Sequence, residues 1–154
     1  MEHCELIPGR GIRRGDTDIF FGMRRTALRD ALGYTPTGDG MWDDEDEYTD
    51  GDGRDWLLLR FLDDKLCDIE VRGGELSHDG IELKHTDMPR LHDDLERKGM
   101  ALEATEWLSE GHDCVDLQIV VASNRDIEEF DDSDRSNDDK IAWVITSSDF
   151  KVED

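Results

Sequence analysis

Leu57, Leu59 and Phe61 alternate with other residues along one stretch, Asp63-Asp64 follows, and Cys67, Ile69 and Val71 resume the alternation beyond it. Successive side chains of extended backbone point to opposite sides, so each run places its apolar residues on one face of a strand. Two such runs joined by a short acidic pair predict an antiparallel β-hairpin. An apolar face must be buried against another layer, and this hairpin commits the chain to a layered fold.

The covering layer is predicted from two helical patterns. Met23, Ala27, Leu28, Ala31 and Leu32 recur at helical intervals, with Gly33 placed for a left-handed cap and Pro36 barring continuation, which predicts a helix from about Met23 to Leu32. Thr86 is placed as the N-cap of a second helix containing Met88, Leu91 and Leu95 and closing at Lys98-Gly99. Pro89 is tolerated in its first turn, where its missing N–H has no intrahelical acceptor.

Further strands are predicted at Asp18–Phe21, within Leu76–Leu83 with Ile81 and Leu83 inward, at Leu102–Trp107, at Val115–Val121 and at Ile141–Ile145. In the fourth of these, Val115, Leu117, Ile119 and Val121 share a face. Leu6–Ile12, interrupted by Pro8, Gly9 and Gly11, reads as an extended entry with turns. The expected fold class is α+β: an antiparallel sheet with two helices packed on one face and its other face polar, its elements readable as two tandem α-β-β-β units. At 154 residues, the chain is expected to form a single domain over 1–154.

Charge restricts the partners. The chain has 41 acidic and 18 basic side chains, a formal charge of −23, which repels phosphates and anionic headgroups and disfavours nucleic acid or membrane as the main ligand. No run approaches the ~20 apolar residues of a membrane span, and MEHCELIPGR has no apolar signal core, so a cytoplasmic location is expected. The negative charge is regional. Residues 1–29 hold six arginines against four acids, and the acidic excess lies beyond them.

Two stretches, Asp43–Asp55 and Asp126–Asp139, carry eight acids each and read as solvated loops. Trp42 and Tyr48 accompany the first of them, and aromatic side chains anchor protein interfaces. The expected partner-binding residues are therefore Trp42, Asp43, Asp44, Glu45, Asp46, Glu47, Tyr48, Asp50 and Asp52 in the first stretch. In the second they are Asp126, Glu128, Glu129, Asp131, Asp132 and Asp134.

Catalytic and metal signatures do not emerge. G-x-x-x-x-G-K-[ST], H-E-x-x-H, G-x-S-x-G and C-x-x-C are all missing from the sequence, and no catalytic residue, metal ligand or cofactor is expected. A calcium loop begun at Asp46 has Tyr48 at its third position, Gly53 at its eighth and Leu57 at its twelfth, none of them suitable. Cys4, Cys67 and Cys114 are odd in number and widely spaced, and they read as reduced thiols. The five histidines are scattered and read as solvated.

Gly22-Met23 through Ala31-Leu32-Gly33, with Pro36 just beyond and a strand-turn-strand at Trp56–Val71, resembles the G-M-x-x-x-x-(V/L)-x-x-x-L-G opening of small bacterial helix-plus-sheet proteins. Among these are the outer-membrane assembly lipoprotein and β-lactamase-inhibitor-like group. Leu6-Ile7-Pro8-Gly9-Arg10-Gly11-Ile12 is similar to the start of small cytoplasmic bacterial proteins that include immunity proteins of toxin–immunity pairs. The likeness covers roughly the first half of the chain and brings no catalytic residues with it. This chain carries Arg24 and Arg25 where that helix usually has small polar and acidic residues.

The expected function is that of a cytoplasmic immunity protein, not an enzyme, whose acidic loops bind and neutralise a basic toxin domain such as a nuclease. The alternative is an enzyme or small-ligand-binding protein whose acidity is an adaptation to high salt. The bias toward Asp, 27 of the 41 acids, with only five lysines, is compatible with that alternative.

Overall fold

The computed structural model describes residues 2–32, 44–50, 54–105, 111–127 and 138–148. The chain opens with β1 (His3–Ile7), β2 (Gly11–Arg14) and β3 (Thr17–Phe20), followed by α1 (Arg25–Leu32). Next come β4 (Glu45–Thr49), β5 (Asp55–Leu62), β6 (Lys65–Val71), β7 (Glu75–His78), β8 (Ile81–Glu82) and α2 (Met88–Arg97). The last part holds β9 (Glu103–Ala104), β10 (His112–Cys114), a 3-10 turn at Val115–Leu117, β11 (Ile119–Ser123), α3 (Asn124–Ile127) and β12 (Ile141–Ser147). The fold is α+β, as expected, but it is built on two sheets. One is five-stranded and mixed, in the order β3-β2-β1-β7-β8, and the other is seven-stranded and antiparallel, in the order β4-β5-β6-β12-β11-β10-β9.

The predicted hairpin is β5–β6. Asp63 and Asp64 both adopt left-handed backbone, with φ of 52° and 67°, and such a two-residue turn matches the right-handed twist of its strands. Aspartate tolerates this conformation better than most residues because its short carboxylate can bond locally. One detail departs from the alternation. Arg60 faces Asp68 while Phe61 faces Leu66, so Cys67 is the extra residue of a β-bulge. Leu66 consequently takes the buried place expected for Cys67, whose Sγ lies 3.3 Å from the Arg60 carbonyl oxygen.

Two predicted strands prove to be turns with short strands attached. Asp79 and Gly80, both at positive φ, fold Leu76–Leu83 into the β7–β8 hairpin of the five-stranded sheet, with Ile81 and Leu83 buried as expected. Val115–Val121 is interrupted because β10 and β11 pair antiparallel, Cys114 opposite Ile119, and the residues between them must reverse the chain. The 3-10 turn and Gln118 at φ 56° make that reversal. Leu117, Ile119 and Val121 are buried, and Val115 is left exposed.

The halves are not tandem repeats. β6 pairs with β12, with Val71 opposite Val144, and β1 pairs in parallel with β7, with Cys4 opposite Leu76, so each sheet draws on both halves of the chain. Three strands precede α1, which begins two residues later than expected because Gly22 and Met23 pair with Leu66 of β6. Asp87, one residue after Thr86, caps α2 by accepting a hydrogen bond from the Arg90 N–H at 2.9 Å. The expected cap Gly33, Pro36 and the end of the Leu102–Trp107 segment lie outside the described residues.

Leu28 and Leu32 of α1, Leu91 and Leu95 of α2, and the inward residues of both sheets form one hydrophobic core. α1 lies against β3 and α2 against β8, so each helix shields one edge strand of the five-stranded sheet. Phe61 is buried in this core beneath the Arg25 guanidinium, 5.1 Å from the ring centroid. Truncating Phe61 to Ala should destabilise the fold by about 3–5 kcal/mol through lost burial and a residual cavity, measured by urea unfolding.

Candidate partner-binding surface

The first acidic stretch contains a strand. β4 pairs antiparallel with β5 in the register Glu45–Arg60, Asp46–Leu59, Glu47–Leu58 and Tyr48–Leu57. Alternation then divides its side chains. Asp46 and Tyr48 point toward the core with Leu59 and Leu57, while Glu45 and Glu47 share the opposite face with Arg60 and Leu58.

On the core side, Asp46 is 0% exposed. Arg25 and Arg29, one turn apart on α1, both reach it. Arg25 donates to Oδ1 through Nη2 at 2.6 Å and Nε at 3.0 Å, and Arg29 donates to Oδ2 at 2.9 Å and to Oδ1 at 2.7 Å. Arg25 Nη2 also donates to the Glu45 carbonyl oxygen at 3.0 Å. Burial by itself would raise the Asp46 pKa, but the bonds from Arg29 and Arg25 outweigh it and hold the carboxyl below the usual range.

On the other face, Arg60 sits between two carboxylates. It donates to Glu45 Oε2 at 2.9 and 2.7 Å and to Asp68 at 3.0 Å, and these partners keep its guanidinium charged against the penalty of burial. Glu45 is only 3% exposed. Arg72 serves the next rank, binding Glu70 through Nε and facing Glu47 at 3.6 Å.

Glu45, Asp46 and Tyr48, expected on a solvated binding loop, are therefore buried parts of β4 and are not available to a partner. Of the other residues expected to bind, Asp44 is exposed, Glu47 is half-buried beside Arg72, and Asp50 accepts a hydrogen bond from the Arg54 N–H at 3.1 Å. Asp126 works inside the fold as well. It accepts from the Ser123 N–H at 2.9 Å, donates its own N–H to Ser123 Oγ at 3.2 Å, and lies 3.3 Å from His112 Nδ1. Trp42, Asp43, Asp52, Glu128, Glu129, Asp131, Asp132 and Asp134 lie outside the described residues.

The arginines were the missing part of the sequence reading, and a signal for them existed. Arg60 interrupts the apolar run Leu57-Leu58-Leu59-Arg60-Phe61, and a charge in such a strand requires a paired carboxylate. Arg25 and Arg29 stand at helical spacing in a chain dominated by acids. The three cysteines are free thiols, and burial pushes Cys4 up to about 12 and raises Cys114 as well, so neither supplies a thiolate at neutral pH. On α2, the ligand atoms of His92, Asp93 and Glu96 come within 4.8 Å of one another, and all three residues are exposed.

Comparison of the chain with protein-family models, with curated proteins and with solved structures returns no match.

Asp46→Asn should destabilise the protein by about 3 kcal/mol at neutral pH, the lower end for a broken buried ion pair because Arg25 and Arg29 reach water at their outer ends. A carboxyl whose pKa is lowered on folding contributes its stability above the unfolded value of about 3.9 and loses it as pH falls further. The stability difference between parent and variant should therefore be constant from about pH 7 to 5 and shrink below about pH 4, as read by urea unfolding at each pH. Asp44→Asn, at an exposed site, should stay within about 0.5 kcal/mol of the parent.

Proposed function

We propose that this chain is a non-enzymatic binding protein of the immunity type, which captures and neutralises a cationic protein domain, such as a basic toxin domain with nuclease activity, through its acidic surface. The observation that most supports this reading is how the arginines are used. Among the described residues, Arg13, Arg14, Arg24, Arg25, Arg29, Arg60, Arg72, Arg90, Arg97 and Arg125 each pair with a carboxylate of the same chain. Among the described residues the positive charge is largely matched internally, in a chain whose formal net charge is −23.

A field of that size and sign steers a cationic partner into contact and repels anions. Glu45 and Asp46 take no part in capture, because they are committed to Arg60 and to Arg25 with Arg29. That role passes to exposed acids such as Asp44 and Asp63, and to the sequence run Glu128–Asp134. Among the described residues no helix is long and apolar enough to cross a membrane. The aspartate bias, 27 of 41 acids, favours a second reading: an enzyme or small-ligand-binding protein adapted to high salt.

Isolation of the native protein at low salt tests the proposal. A basic polypeptide should co-purify and dissociate as salt approaches about 1 M, where the screening length falls to about 3 Å. Association of the separated partners should slow steeply with salt, and reversing Asp44, Glu128, Glu129 and Asp131 to Lys should flatten that dependence without unfolding the chain. A protein recovered alone that refolds only in molar salt would favour the second reading.

A further inference from the structure

Two glycine-punctuated segments, Pro8-Gly9-Arg10-Gly11 and Phe20-Phe21-Gly22-Met23, meet in the fold, where the Phe21 N–H donates to the Arg10 carbonyl oxygen at 2.9 Å. A pocket of about 450 Å³ lies there, lined by Gly9, Arg10, Phe20, Phe21, Gly22 and Met23. Phe21 and Met23 are half-buried against the core and give it apolar walls. A Cβ built at Gly22 would meet nothing within 4 Å, so the backbone there is open to an incoming group.

Arg10 gives the pocket its polar side. Its guanidinium lies over the Phe20 ring, 5.1 Å from the centroid. Arg13 approaches the same ring at 5.7 Å, but its guanidinium is committed to Asp18 at 2.7 Å. Among the described residues, no carboxylate lies within ion-pairing distance of Arg10, in a chain with 41 acids. Arg10 is exposed, so its guanidinium is reachable from solvent while contact with the ring steadies the charged group.

We propose that this pocket binds an apolar carboxylate, with an aryl or branched alkyl group against Phe20, Phe21 and Met23 and the carboxylate accepting hydrogen bonds from the Arg10 guanidinium. A free carboxylic acid and the C-terminus of a peptide ending in an apolar residue share this chemistry. Both differ from the cationic partner proposed above, and the site stands or falls independently of it. Arginine matches a carboxylate with a planar fork of donors, which selects the acid over an uncharged molecule of the same shape.

The test is an NMR titration of the full chain, reading amide shifts, with 3-phenylpropionate, with 3-phenylpropanol, and with a tetrapeptide ending in Phe as free acid and as amide. The propionate should give saturable shifts at residues 9–10 and 20–23 and bind about tenfold more tightly than the alcohol, the worth of one charge-assisted hydrogen bond. Arg10→Met keeps the aliphatic stem over Phe20 and should abolish the preference for acid over alcohol. Arg24→Met should leave it unchanged. Tighter binding of the peptide acid than of its amide or the propionate identifies a chain terminus as the source, and binding of the propionate alone identifies a free acid. Equal binding of propionate and alcohol, retention of the preference in Arg10→Met, or no saturable shift at these residues would overturn the proposal.

Discussion

Asp46 lies wholly out of water between the guanidinium groups of Arg25 and Arg29, and much of the molecule is arranged around that contact. An unpaired carboxylate in that position would be prohibitively unfavourable, so α1 must dock where it does. Arg25 extends the connection in three more directions. Its N–H donates to the Asp64 carbonyl oxygen of the β5–β6 turn, its guanidinium reaches the Glu45 carbonyl oxygen, and it covers the Phe61 ring. One residue, through its backbone N–H and its side chain together, thus ties the helix to β4, to β5 and to the hairpin turn.

The same pairing logic organises the opposite face of β4, where Glu45, Arg60 and Asp68 stand in cross-strand register and Arg72 joins Glu70 and Glu47 in the neighbouring rank. β4 is an edge strand of the seven-stranded sheet. Its acidic side chains place charge on an edge that would otherwise invite pairing with another chain. Carboxylates and arginines therefore have two separate duties here. Paired ones fasten elements together, and the surplus acids set the field around the protein.

Legibility in the sequence followed the strength of local signals. The β5–β6 hairpin was readable because its strands alternate over several residues and its turn residues tolerate left-handed backbone. α1 and α2 were readable from the spacing of Leu28 with Leu32 and of Leu91 with Leu95, whereas the four-residue α3 buries no residue and carries no such spacing. Cys67 and Val115 were misplaced for related reasons. A bulge and a chain reversal each break an alternation that looks continuous in one dimension, and the register of the partner strand imposes both. The acidic stretch around β4 was misread because composition alone equates dense charge with solvent, and composition carries no information about pairing partners some 15 to 21 residues away.

Local chemistry along the chain was enough to determine an α+β class, the hairpin, two amphipathic helices, three thiols without a disulfide framework and a strongly negative surface. Those properties depend on side-chain periodicity, turn preference and net charge, and each is a property of neighbouring residues or of a sum over them. Only the tertiary structure decided that the strands divide into two sheets, that β6 joins β12 and β1 joins β7 across the halves of the chain, and that Glu45 and Asp46 are internal. Whether a carboxylate faces water or a guanidinium depends on which distant residues are brought beside it, and that is settled when the layers close over a common core.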